Sequence, residues 1–129
     1  NLILSLLTMS GIVADMQAIP ANLRAATSGG FITATDLADW LVRKLKLPFR
    51  DAHKVTGLIV ARAEDMKCDL SELSLEEMRA INADITEDIF SVLTLENSIS
   101  SRNSYGGTSP EQVKHQILVW KEKLDSWAA

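Results

Sequence analysis

At 129 residues, with 47% hydrophobic and 23% charged side chains, the chain is of single-domain size and carries enough apolar material for a core. A formal net charge of −4 with no Lys/Arg block excludes a nucleic-acid surface, which needs clustered positive charge to displace counterions. A single cysteine, Cys68, excludes an internal disulfide framework and a CxxC metal site, and points to a reducing, cytoplasmic compartment.

Aromatic residues make up only 5%, so the core must be built from Leu, Ile, Val, Ala and Met, and an all-α fold is expected. The first element runs from Leu2 through Ala14 without a charge, with Gly11 inside it and Asp15 closing the run. A membrane span needs roughly 20 apolar residues and a signal peptide needs a basic leader; the segment matches neither. Its apolar positions, Leu2, Ile3, Leu4, Leu6, Leu7, Met9, Ile12, Val13, Met16 and Ile19, go nearly all the way round a helix. That pattern belongs to a helix buried on several sides, by neighbours expected to lie outside this chain. Exposed, such a surface favours association, and self-association through Leu2, Leu6, Met9, Val13 and Met16 is predicted.

Pro20 interrupts this helix, Asn22–Thr27 adds at most two turns, and Ser28-Gly29-Gly30 ends them, placing a boundary between Pro20 and Gly30. Thr33 to Asp36 supplies a cap with an acid in the first turn. Leu37, Trp40, Leu41, Val42 and Leu45 then form an amphipathic stripe closed by Arg43, Lys44 and Lys46. After Pro48, Phe49, Ala52, Val55, Leu58, Ile59 and Ala63 recur at helical spacing to about Met66, with Gly57 as a point of close contact. Ser74 to Glu77 is a capping box leading to Met78 and Ile81, and Thr86-Glu87-Asp88 starts a short segment carrying Ile89, Phe90 and Leu93. Leu95 to Arg102 adds one or two turns. Gly106 and Gly107 allow a sharp reversal, Ser109 caps, Pro110 fits the first helical position and Gln112 completes a capping box. The last helix carries Val113, Ile117, Leu118, Trp120, Leu124 and Trp127 on its apolar side. No run shows the alternation expected of strands.

The chemistry-bearing residues favour structural roles. His53 and His115 are far apart and in no metal-ligand spacing, and Asp51 lies on a different part of the helix surface from His53, so neither a metal site nor a dyad is read. Ser98, Ser100, Ser101 and Ser104 sit in no GxSxG elbow and beside no identifiable base; loop and cap roles account for them. Glu111 in the first turn of the last helix weakens the glycine turn as an anion site. Glu76-Glu77 and Glu87-Asp88 are explained by the dipoles of the helix starts they occupy, and Trp120 and Trp127 by core or interface packing. On these residues alone, the chain reads as a helical module without a visible active site. An independent interaction module binding a partner through its first helix is one form of that reading.

Taken together, Thr33-Ala34-Thr35-Asp36-Leu37-Ala38-Asp39-Trp40-Leu41-Val42-Arg43, then Leu47-Pro48-Phe49-Arg50-Asp51-Ala52-His53 with Gly57, then Leu73-Ser74-Leu75-Glu76-Glu77, and Gly106-Gly107-Thr108-Ser109-Pro110-Glu111-Gln112-Val113 resemble the C-terminal region of argininosuccinate lyase. The resemblance covers essentially the whole chain and favours this branch over other lyases of the fumarase/aspartase superfamily. It implies a homotetramer built around long bundled helices, with residues 1–19 as the end of a bundle helix and residues 20–129 as a small C-terminal helical domain. The implied reaction is the reversible elimination of fumarate from argininosuccinate, releasing arginine. It needs a base for the proton beside a carboxylate, donors for the resulting charge, and an acid for the leaving guanidino nitrogen. In the family these functions involve a serine in a GSSxMPxKxNP loop, an upstream histidine and a lysine segment; none has a counterpart here. The resemblance therefore implies a fragment downstream of the active-site motifs, with no catalytic, cofactor-binding or metal-binding residue of its own.

Overall fold

The computed structural model describes residues 1–27 and 30–128, all-helical among the described residues and divided into two compact units, Asn1–Gly30 and Phe31–Ala129. The Ser28-Gly29 part of the predicted helix stop lies outside the described residues.

The first unit contains α1 (Leu2–Asp15) and α2 (Pro20–Ala26), bent by 100° across the break between them. α1 ends at Asp15, short of Ile19, where the sequence pattern would have carried it; Met16 already turns extended. Pro20 takes the first position of α2, and the residue before a proline is driven out of the helical region, as Ile19 is; the break at Met16 comes earlier than that restriction requires. No α1 residue is buried, and Leu2, Leu6, Met9, Val13 and Met16 are between 58% and 73% exposed. Among the described residues no single helix is long and apolar enough to cross a membrane; the bent pair passes only when its two helices are joined.

The second unit is organised by α3 (Ala34–Leu45) and α4 (Phe49–Met66), packed against each other. On α3 the buried positions Leu37, Ala38, Trp40 and Leu41 follow helical periodicity, and Arg43 and Lys44 lie in the last turn, where the dipole favours cations. Both helices stop in left-handed residues, Lys46 and Lys67, so the chain reverses without glycine. A 3-10 turn at Leu70–Glu72 and α5 (Leu75–Ile81) pack on α4; a second 3-10 segment, Glu87–Val92, crosses α3 and carries α6 (Leu95–Ser101). α7 (Pro110–Ala128) completes the chain. The core gathers Leu37, Leu41, Ile59, Leu70, Met78, Ile85 and Ile89, all fully buried.

The predicted α4 stripe is partly corrected. Ala52, Thr56, Ile59 and Ala63 face the core, whereas Leu58 is 51% and Phe49 66% exposed. Leu58 lies about 120° round the helix from that face, and Phe49 precedes the packed turns and contacts His53 instead. Gly57 is not a close-contact point either, since an added Cβ there meets nothing within 4 Å. Thr56 keeps a buried hydroxyl without a hydrogen-bond partner.

Capping also differs in detail. Ser74 and Thr94 accept from Glu77 N–H and Asn97 N–H as N-caps do. The reciprocal arm of the Ser74 box is diverted, because Glu77 accepts a 2.6 Å charge-assisted bond from Arg62. That partner holds the Glu77 carboxyl below its usual range. The complete capping box is at Asp69 and Glu72, with Glu72 reaching back to the Asp69 N–H at 2.8 Å.

Candidate functional site

Asp36 shares the inward face of α3 with Leu37 and Trp40, so helical geometry carries its carboxylate into the protein; it is 9% exposed. Oδ1 accepts from Arg102 Nη2 at 2.7 Å and Oδ2 accepts from the Ser98 hydroxyl at 2.6 Å. Ser98 lies at the middle of α6 and Arg102 is its C-cap, so this node ties α3 to α6. The expected first-turn acid is therefore a tertiary anchor, and Ser98 does more than cap a local turn.

Around the node, α3, the Glu87–Val92 segment and α6 border an open cleft of about 530 Å³. Lys44 Nζ lies 3.0 Å from Asp88 Oδ2, and Arg43 Nη2 lies 3.6 Å from Asp39 Oδ2. Asp88 also accepts from the Thr86 hydroxyl; that bond first, and Lys44 second, hold its carboxyl below the usual carboxylate range. Arg43, Lys44 and Arg102 thus each face a carboxylate, and the Ser98 proton is directed at Asp36. The geometry supports holding three helical segments together. Neither imidazole is among the described residues that line the cleft: His53 is exposed on α4 with its ring centroid 6.2 Å from that of Phe49, and His115 is exposed on α7. Among the described residues no group of three or more His, Cys, Asp or Glu side chains is arranged to hold a metal ion.

The glycine turn serves the same node. Gly106 adopts φ +74°, and a Cβ on Gly107 would lie 2.1 Å from the Arg102 carbonyl oxygen, which accepts from Ser109 N–H at 3.2 Å. The turn folds onto the residue whose guanidinium holds Asp36. Ser109, 3% exposed, accepts from Gln112 N–H at 3.3 Å, while the Gln112 amide donates to Asn103 and leaves the predicted box half formed. Gly107→Ala is expected to cost about 1–3 kcal/mol, since backbone must move to admit the methyl. Gly57→Ala, in open space on a helix, should instead gain roughly 0.5–1 kcal/mol. Denaturant unfolding of the pair checks both signs.

Only part of this was accessible from sequence. Asp36 and Arg102 are 66 residues apart, beyond any local pattern. The available signal was an acid four residues before Trp40, on the apolar side of α3. Trp120 and Trp127 do meet, edge to face at 6.4 Å, but are 49% and 71% exposed, so core packing within this chain does not explain them.

Comparison with known proteins bears on residues on both sides of the cleft. The family model for the argininosuccinate lyase C-terminal region matches residues 31–100. The chain is 56% identical over 124 residues to the argininosuccinate lyase of Jannaschia sp. (strain CCS1), a match covering 96% of this chain and 26% of that protein. It is 54% identical over 121 residues to argininosuccinate lyase 1 of Mesorhizobium japonicum, covering 94% and 26%. The chain thus spans about a quarter of the length of the curated relatives it matches.

Proposed function

Because this chain belongs to the argininosuccinate lyase family, we propose that it is the C-terminal part of a subunit that reversibly eliminates fumarate from argininosuccinate to give arginine, and that it supplies scaffold to that reaction. The observation that carries this reading is identity above one half along nearly the whole chain, confined to about a quarter of each relative. The ion pairing in the cleft agrees with it, since a base for carbon acids must be free to take the proton. The proton-transfer groups belong, in this reading, to the upstream part of the subunit. Residues 1–129 incubated with argininosuccinate should release no fumarate by ultraviolet absorbance; turnover by this chain alone would refute the scaffold role.

Residues 1–19 are assigned to the end of a bundle helix and residues 20–129 to a C-terminal helical domain, within a cytoplasmic homotetramer. Support comes from α1, whose apolar side chains are exposed along its whole length. Association through Leu2, Leu6, Met9, Val13 and Met16 follows from burying that surface. In sedimentation, residues 1–129 should form oligomers and residues 20–129 should lose them; the same monomeric boundary for both would rule this out.

A further inference from the structure

We propose that the exposed face of α7 is the docking seam for one amphipathic helix with acidic flanks, supplied by the upstream part of the same lyase subunit. This rests on the assignment of the chain to such a subunit. Val113, Ile117, Trp120, Leu124 and Trp127 are spaced alternately by four and three residues, the repeat that keeps an apolar seam against a facing helix. All five are between 44% and 71% exposed, although they line one narrow stripe. Two heptads make a seam about 21 Å long, enough to seat a four-turn helix.

The rim identifies the occupant. The exposed positions flanking the seam are Lys114, Lys121 and Lys123, with Gln116 partly buried against the chain itself, whereas Glu111, Glu122 and Asp125 lie on the far side. Lys123 Nζ sits 4.6 Å from the Trp120 ring centroid, holding positive charge at the edge of the seam. A second copy in antiparallel register would set Lys114 against Lys121 with no acid on either flank, which disfavours self-pairing. α1 has no acid before Asp15 and lacks the required flanks. The matched region is 26% of each relative, so about three quarters of such a subunit is available to provide the helix.

Amide hydrogen exchange across residues 110–128 tests this in the 129-residue chain and in the longer subunit that carries it. Protection of α7 is expected to rise at least ~100-fold in the longer subunit. It should fall back in Trp120→Glu/Leu124→Glu, whose altered side chains are exposed and leave the core intact. Lys114→Glu/Lys121→Glu/Lys123→Glu should speed exchange about tenfold at low salt; unchanged exchange there would overturn the acidic-flanked occupant. Equal exchange in the two lengths, with fumarate release intact in the longer one, would overturn the docking and leave the lyase assignment standing. Protection without fumarate release would do the reverse. Protection that grows with the concentration of the 129-residue chain alone would make the occupant a second copy. A blue shift of tryptophan emission on phosphatidylserine vesicles would make it a membrane; either result overturns the proposal.

Discussion

Leu41→Ala is expected to destabilise the second unit by about 2–5 kcal/mol. Leu41 is fully buried on α3, the helix that packs on both α4 and the Glu87–Val92 segment. Truncation removes the transfer free energy of its side chain and leaves a cavity that these neighbours cannot all close at once. For a unit of this size each 1 kcal/mol corresponds to roughly 4–8 °C, so the melting temperature should fall by at least about 8 °C. Leu58→Ala is the matched control, because Leu58 is 51% exposed, and its melting temperature should change by no more than ~5 °C. Circular dichroism melts of the two variants decide the matter; equal shifts would mean that the α3–α4 contact is not the stabilising centre.

Arg102→Ala should cost more than Asp36→Ala, although both remove the same ion pair. Asp36 is almost wholly buried, whereas the Arg102 side chain is 43% exposed. Deleting the arginine strands a buried carboxylate with Ser98 as its remaining side-chain donor, at about 3 kcal/mol, the lower end for a broken buried pair because the cleft is open. Deleting the aspartate lets the guanidinium turn to water and costs about 2 kcal/mol, mainly the lost charge-assisted bonds. The double variant should fall well short of the sum, since each single change already removes the interaction. A double-mutant cycle by urea denaturation reads the coupling directly; additive effects would show that the pair is not a joint anchor.

Recognition of helices from sequence rested on periodicity, and it succeeded where one helix face meets one layer of neighbours. Leu37, Trp40 and Leu41 were placed correctly on α3, as were Ile59 and Ala63 on α4. The capping serines Ser74 and Ser109 were legible because their partners lie three residues away. Long side chains were not legible in the same way. A capping box would send the Glu77 and Gln112 side chains back to the cap backbone; each instead found a partner on another segment, Arg62 or Asn103, and the Ser109 N–H is itself taken by the Arg102 carbonyl. For Glu77 a charged donor outweighs a neutral amide; sequence spacing alone does not contain that competition.

Residue order and chemical type were sufficient for the helical class, the short segments between Ser74 and Arg102, and the family to which the chain belongs, because these depend on local backbone preference and on motifs read in sequence. The roles of Asp36, Ser98 and Arg102 required the folded chain. Their meeting depends on α3 and α6 being brought together across the Glu87–Val92 segment, and no local rule encodes a contact between residues 36 and 102. The glycine turn joins the two levels. Its glycines announced a reversal, but the 2.1 Å approach a Gly107 Cβ would make to the Arg102 carbonyl gives the reason for the second one. A side chain there would push away the backbone from which Arg102 reaches Asp36.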